Sequence, residues 1–150
     1  MVGHVVTYTG DLNRAHKHDA GLDLASTEAV ELKPGERKLV PTGVRVILPP
    51  NLVGMVCPRS GNAIKHGLTV LNAPGIIDSG YTGEVKVILM NLSDETHKVE
   101  KGDRIAQLVL TPVANDAYLN HVRGEWFSKI ADTQEVFERG EKGFGSSDGK

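Results

Sequence analysis

Cys57 is the only cysteine in 150 residues, so no disulfide can form within the chain, which suits a reducing compartment. No apolar run approaches the roughly 20 residues that a membrane-spanning helix needs. The opening MVGHVVTYTG has neither the basic start nor the apolar stretch of a secretory signal. Charge of one sign is also missing: 17 basic against 19 acidic side chains give a formal net charge of -2, and no global field draws the chain to nucleic acid or a membrane. These absences point to a soluble, cytoplasmic protein, in which binding of any polyanion needs positive charge gathered locally. No Gly-x-x-x-x-Gly-Lys-Ser/Thr loop occurs, which excludes a Walker-type nucleotidase, and one cysteine excludes the Cys-based zinc arrangement of most nucleoside deaminases. His16 and His18 flank Lys17, but two histidines without further ligands read as a polar loop.

What is present is a globular composition, 39% hydrophobic and 24% charged, at the length of one ordinary domain. Val and Ile together number 24 against 14 Leu, which favours the pleated surface of a sheet. Short apolar runs lie at His4–Thr9, Val30–Leu32, Arg37–Val40, Val44–Leu48, Leu52–Cys57, Leu68–Leu71, Val85–Asn91 and Ile105–Thr111. Turn chemistry separates them at Pro34-Gly35, Pro49-Pro50-Asn51, Ala73-Pro74-Gly75, Ser79-Gly80 and Lys101-Gly102-Asp103. Many short strands at this spacing predict an all-β sandwich or barrel. One short helix is expected over Ser60–Lys65, with Ser60 as its cap and Gly67 at its end. Cys57 sits in an apolar run and reads as a small core residue. No repeat or linker divides residues 1–138; residues 139–150 hold many glycines, serines and charges and read as a flexible arm.

Five blocks carry the chemistry. They are Asp19-Ala20-Gly21-Leu22-Asp23-Leu24, then Pro58-Arg59-Ser60-Gly61-Asn62, then Asn72 through Glu84 (NAPGIIDSGYTGE), then Gly102-Asp103-Arg104-Ile105-Ala106-Gln107-Leu108, and finally Arg139 through Ser147 (RGEKGFGSS). Each alone is weak, since Asn-Ala-Pro-Gly and Ser-Gly-Tyr-Thr-Gly are also plain turn sequences, and Arg59–Gly61 alone is also an Arg-capped loop. In order, over residues 19–147, they closely resemble the five motifs of the trimeric dUTPase family.

That resemblance implies a distorted jelly-roll β-barrel assembled as a homotrimer with shared active sites, and hydrolysis of dUTP to dUMP and pyrophosphate. Such an activity keeps uracil out of DNA and supplies dUMP for dTMP synthesis. By the same resemblance Asp78 is the general base that activates water; an ordinary Asp, with a pKa of about 3.9, is ionised at neutral pH and suits that task. Asn72, with Gly75, Ile76 and Ile77 in the following turn, faces uracil, and Tyr81 presents its ring to the deoxyribose. Arg59, Ser60, Gly61 and Gln107 hold the triphosphate, helped by backbone amides near Gly61. Lys86 matches a further nucleotide contact, although a solvated strand residue explains it equally well. Arg139, Phe144, Gly145 and Ser146 belong to an arm that closes over the nucleotide. Mg²⁺ is the implied cofactor, reached by Asp23 through water; pairing with an Arg is the other reading of Asp23.

The chain departs from the family pattern at neighbours of the site: Ser79-Gly80-Tyr81-Thr82 where many relatives have an acidic residue before the tyrosine and an Arg after it, and Asn62 where an aliphatic residue is common. Two rival readings stand beside the main one. A dCTP deaminase-related enzyme shares the fold, and a regulatory protein could use the same scaffold, with a protein partner if the chain is phage-encoded. Bacterial cell and phage-infected host are both consistent with the sequence.

Overall fold

Strand alternation is plainest in the chain's second half, where every other residue from Val85 to Asn91 is buried and the residues between are half-exposed. The computed structural model describes residues 6–114 and Glu141. The arm residues Arg139, Phe144, Gly145 and Ser146, and the boundary at residue 138, lie outside the described residues. In chain order the elements are β1 (Thr7–Thr9), β2 (Gly21–Ala25), β3 (Val30–Leu32), β4 (Arg37–Ile47), β5 (Leu52–Cys57), α1 (Ser60–His66), β6 (Leu68–Val70), β7 (Gly75–Ile77), β8 (Glu84–Asn91), β9 (His97–Val99) and β10 (Arg104–Pro112).

Two four-stranded antiparallel sheets, ordered β1-β4-β8-β6 and β2-β10-β5-β7, form the body, and β3 pairs with β9 as a separate ribbon. Val40, Val44, Val46, Val85, Val87 and Leu89 of the first sheet share one core with Leu24, Val56, Ala106 and Leu108 of the second, and the ribbon adds Leu32 and Val99. This is the distorted jelly roll expected from the sequence, with one short helix among the described residues.

Three local results differ from the expectations. The runs 37–40 and 44–48 are one strand, β4, interrupted by a bulge between Pro41 and Val44. Pro41 has no N–H to give the ladder, Gly43 takes a positive φ of 69°, and the buried Thr42 hydroxyl donates to the Val85 carbonyl in the ladder's place. Helix α1 is preceded by Arg59 as its extended N-cap rather than by Ser60, which is the first helical residue; Gly67 ends it in the left-handed region, as expected. Cys57 is half-buried, not a core residue.

Candidate active site

The register of β10 explains why distant blocks meet. Gln107 on β10 is paired across the sheet with Asp23 on β2 and with Cys57 on β5, so the first and fourth blocks lie abreast and the second begins at the end of β5. The Gln107 amide Nε2 donates to the Pro58 carbonyl at 2.9 Å, which fastens β10 to the start of the second block. Gly21 has no room for a side chain, because a Cβ there would overlap the Gln107 side-chain oxygen. Glycine at 21 thus keeps Gln107 in place. Between these elements lies a cleft of about 560 Å³. It is lined by Asp19, Gly21 and Asp23, by Arg59, Ser60, Gly61, Asn62, Lys65 and His66, and by Gln107.

Asp23 is the electrostatic centre of this cleft. Its Oδ1 is 3.1 Å from Arg59 Nε and its Oδ2 3.1 Å from Arg104 Nη1, and its side chain is only 16% exposed. The Arg-paired reading of Asp23 is therefore realised, with two partners. Asn62 donates from Nδ2 to the Arg104 carbonyl at 2.8 Å, so the polar residue found where an aliphatic one is common ties α1 to β10. Arg104 was not singled out from the sequence; its place in the fourth block, three residues before Gln107, was the available signal. Among the described residues no group of three or more His, Cys, Asp or Glu side chains could hold a metal ion. A divalent ion in this cleft would need oxygens from a bound polyphosphate and from water, a donor set that suits Mg²⁺ and the half-buried carboxylate of Asp23.

The third block forms a second constellation. Gly75–Ile77 pairs with Gly54–Val56 of β5, and the Ala73–Pro74 peptide before it is cis. Asn72 is exposed beside buried Gly75, whose Cβ position lies 3.3 Å from the Asn72 amide nitrogen. Ile76 is exposed and Ile77 half-buried. Tyr81 is 8% exposed. Its N–H donates to the Asp78 carbonyl at 3.0 Å and its hydroxyl to the Glu84 carbonyl at 2.8 Å. The ring lies so close over Gly83 that a Cβ there would be 2.6 Å from its Cζ atom. Burial raises the Tyr81 pKa above the ordinary value, so the phenol stays neutral. With its hydroxyl proton committed to the Glu84 carbonyl, Tyr81 offers a ligand its ring surface. Lys86 on β8 is partly exposed, with its Nζ 4.0 Å from Glu84.

The two constellations are not brought together within one chain. Because β5 and β7 are antiparallel, with Val56 opposite Gly75 and Gly54 opposite Ile77, Asp78 follows at the end of β5 remote from Arg59. At about 3.3 Å per residue that separation is roughly 20 Å along the strand direction. No residue from Asn72 to Lys86 lines the 560 Å³ cleft.

Fold and site define a distorted jelly roll that carries a charged cleft across one of its sheets. The family model for dUTPase matches residues 7–148, and the chain belongs to that family. It is 50% identical over 133 residues to the deoxyuridine 5'-triphosphate nucleotidohydrolase of Clostridium kluyveri, covering 89% of this chain and 86% of that protein. Among solved structures it is similar to EIAV dUTPase, at 34% identity and a TM-score of 0.68 over 75% of this chain and 92% of that one. A variant dUTPase from phage phi11 of S. aureus, in which a structural Mg(II) ion is coordinated, matches at 27% identity and a TM-score of 0.68, over 74% and 92% of the two chains.

Proposed function

We propose that this chain hydrolyses dUTP to dUMP and pyrophosphate. The observation that carries the reading is the convergence of Arg59, Ser60, Gly61 and Gln107 on one charged cleft. A water molecule gives its proton to the Asp78 carboxylate as its oxygen bonds to the α-phosphorus, and the bond from that phosphorus to the bridging oxygen breaks, releasing pyrophosphate. Arg59, Ser60, Gln107 and, from the arm, Arg139 face the phosphate oxygens and offset charge that builds there. Asn72 reads the uracil edge, with Gly75, Ile76 and Ile77 forming the turn against the base. The Tyr81 ring packs on the deoxyribose, Lys86 adds a nucleotide contact, and Phe144, Gly145 and Ser146 complete the enclosure. Asp23 would hold Mg²⁺ through water beside the bound triphosphate, and the ion would supply charge neutralisation there.

The roughly 20 Å between Asp78 and Arg59 in one chain supports an assembly in which one subunit's Asp78 serves a neighbour's cleft. A cyclic homotrimer gives three equivalent sites of this kind. The partner is then free dUTP, with no role for nucleic acid, and a cytoplasmic location fits a soluble nucleotide. No helix among the described residues is long and apolar enough to cross a membrane. The test is pyrophosphate release with dUTP, UTP, dCTP and dTTP side by side. Turnover of dUTP alone is expected; deamination of dCTP, or no turnover of any nucleotide, overturns the reading.

A further inference from the structure

We propose that Lys65 is a further phosphate-binding residue of the cleft, taking the terminal phosphate of the bound triphosphate and then the departing pyrophosphate. This rests on the reading of the cleft as a dUTP site. Lys65 is four residues after Gly61 on α1, so the two share a helix face, and both line the cleft. One turn, about 5.4 Å, separates them along the helix. If Ser60 and Gly61 hold an inner phosphate, Lys65 is the next residue on that face available to the outermost one.

The charges already present decide the argument. Arg59 enters the cleft with its charge largely answered by Asp23 at 3.1 Å, and Arg104 is tied to the same carboxylate. Asp19 accepts the backbone N–H of His16 at 2.9 Å. The His66 imidazole is engaged with that of His97, ring centres 4.7 Å apart. Among the described residues lining the cleft, Lys65 is the fixed cation with no carboxylate within 4.0 Å. A triphosphate brings more negative charge than Arg59 alone can balance, and an exposed ammonium on a long stem follows a mobile terminal phosphate well. A purely structural role is the competing explanation, because Lys65 also lies in the last turn of α1, where a cation favours the helix dipole. The two explanations separate by ligand: the dipole role changes stability and is blind to which product is bound.

The experiment compares the full-length wild-type protein with Lys65→Gln and Lys65→Arg in Mg²⁺ buffer. It measures calorimetric binding of inorganic pyrophosphate and of dUMP, alongside dUTP turnover. Lys65→Gln should weaken pyrophosphate binding roughly tenfold, as expected for loss of one charge-assisted contact. It should leave dUMP binding within about twofold and raise KM for dUTP far more than it lowers kcat. Lys65→Arg should restore most of the pyrophosphate affinity. If wild-type protein turns over dUTP and Lys65→Gln binds pyrophosphate as tightly, the assignment of Lys65 is overturned while the function stands. Equal weakening for pyrophosphate and dUMP also overturns it, in favour of a structural role. If wild-type protein releases no pyrophosphate from dUTP, the reading beneath it falls as well.

Discussion

The Asp23 carboxylate receives the Arg59 guanidinium at 3.1 Å from Nε, and this contact joins the first block to the second. Its other oxygen holds Arg104 of the fourth block at the same distance, so one carboxylate fastens its own segment to two others, 36 and 81 residues away in sequence.

Asp23→Asn keeps the shape of that centre and removes its charge, leaving two guanidinium groups facing an amide. Equilibrium unfolding in urea should show a loss of about 1–2 kcal/mol, the lower part of the range for a charged hydrogen bond because both arginines keep some solvent. KM for dUTP should rise by about tenfold as Arg59 loses its fixed position. A variant with unchanged midpoint and unchanged KM would show that Asp23 does not set the geometry of Arg59.

The packing of Tyr81 over Gly83 gives a second test, at the hairpin assigned to the sugar. Gly83→Ala adds a methyl where the ring already lies, so the ring must move or the hairpin must open. Overpacking of this kind costs about 1–3 kcal/mol. If the ring selects deoxyribose, Gly83→Ala and Tyr81→Ala should both erode the ratio of kcat/KM for dUTP over UTP. Tyr81→Phe should keep that ratio, because the hydroxyl is spent on the Glu84 carbonyl. Should Tyr81→Phe lose discrimination while Tyr81→Ala retains it, the ring is not the selecting surface.

Much of this architecture was legible in the sequence because burial is periodic: 85, 87 and 89 on β8 and 40, 44 and 46 on β4 are apolar and face the core. β2 was missed because Gly21-Leu22-Asp23-Leu24 carries an acidic residue, and its pairing with β10 comes from sequence 79 to 88 residues away. β9 is three residues long and begins with His97 and Lys98, so it has no apolar signal to detect. The bulge in β4 hid behind Pro41-Thr42-Gly43, which interrupts the apolar run but is bridged by the Thr42 hydroxyl. At the site, residue types were readable from the blocks, but the pairing of Asp23 with Arg104 and the commitment of the Tyr81 hydroxyl needed the third dimension.

His97 links stability to pH. Burial lowers its pKa from the ordinary 6.5, the neighbouring His66 lowers it further, and Asp103 partly opposes both. The folded chain therefore gives up this proton more readily than the unfolded chain does. Between the lowered folded value and 6.5 the unfolded chain binds more protons, so stability from this group is full above pH 6.5 and declines as pH falls through that window. Urea midpoints at pH 7.5 and 5.5 should differ for wild-type protein, and His97→Gln should narrow the difference. An equal difference in the variant would assign the pH dependence to other groups.

The separation of Asp78 from Arg59 along β5 yields the most decisive test of the assembly. Take one chain carrying Asp78→Asn and another carrying Arg59→Ala, each inactive as a homogeneous protein on the proposed reading. If every site used a single chain, each site in a mixture would hold one defect or the other, and activity would stay absent. If Arg59 comes from one subunit and Asp78 from the next around a closed ring, a mixed trimer behaves differently. Whether it holds two copies of one variant or two of the other, only one junction joins an intact Arg59 to an intact Asp78. Random equimolar assembly makes about three quarters of the trimers mixed, each with one working site in three, so activity should recover to roughly a quarter of wild type. Co-refolding from denaturant, with subunit mixing verified by native mass spectrometry, supplies the measurement. Well-mixed trimers that remain inactive would rule out the shared site, and the roughly 20 Å between the two residues would then have to close by a rearrangement within one chain.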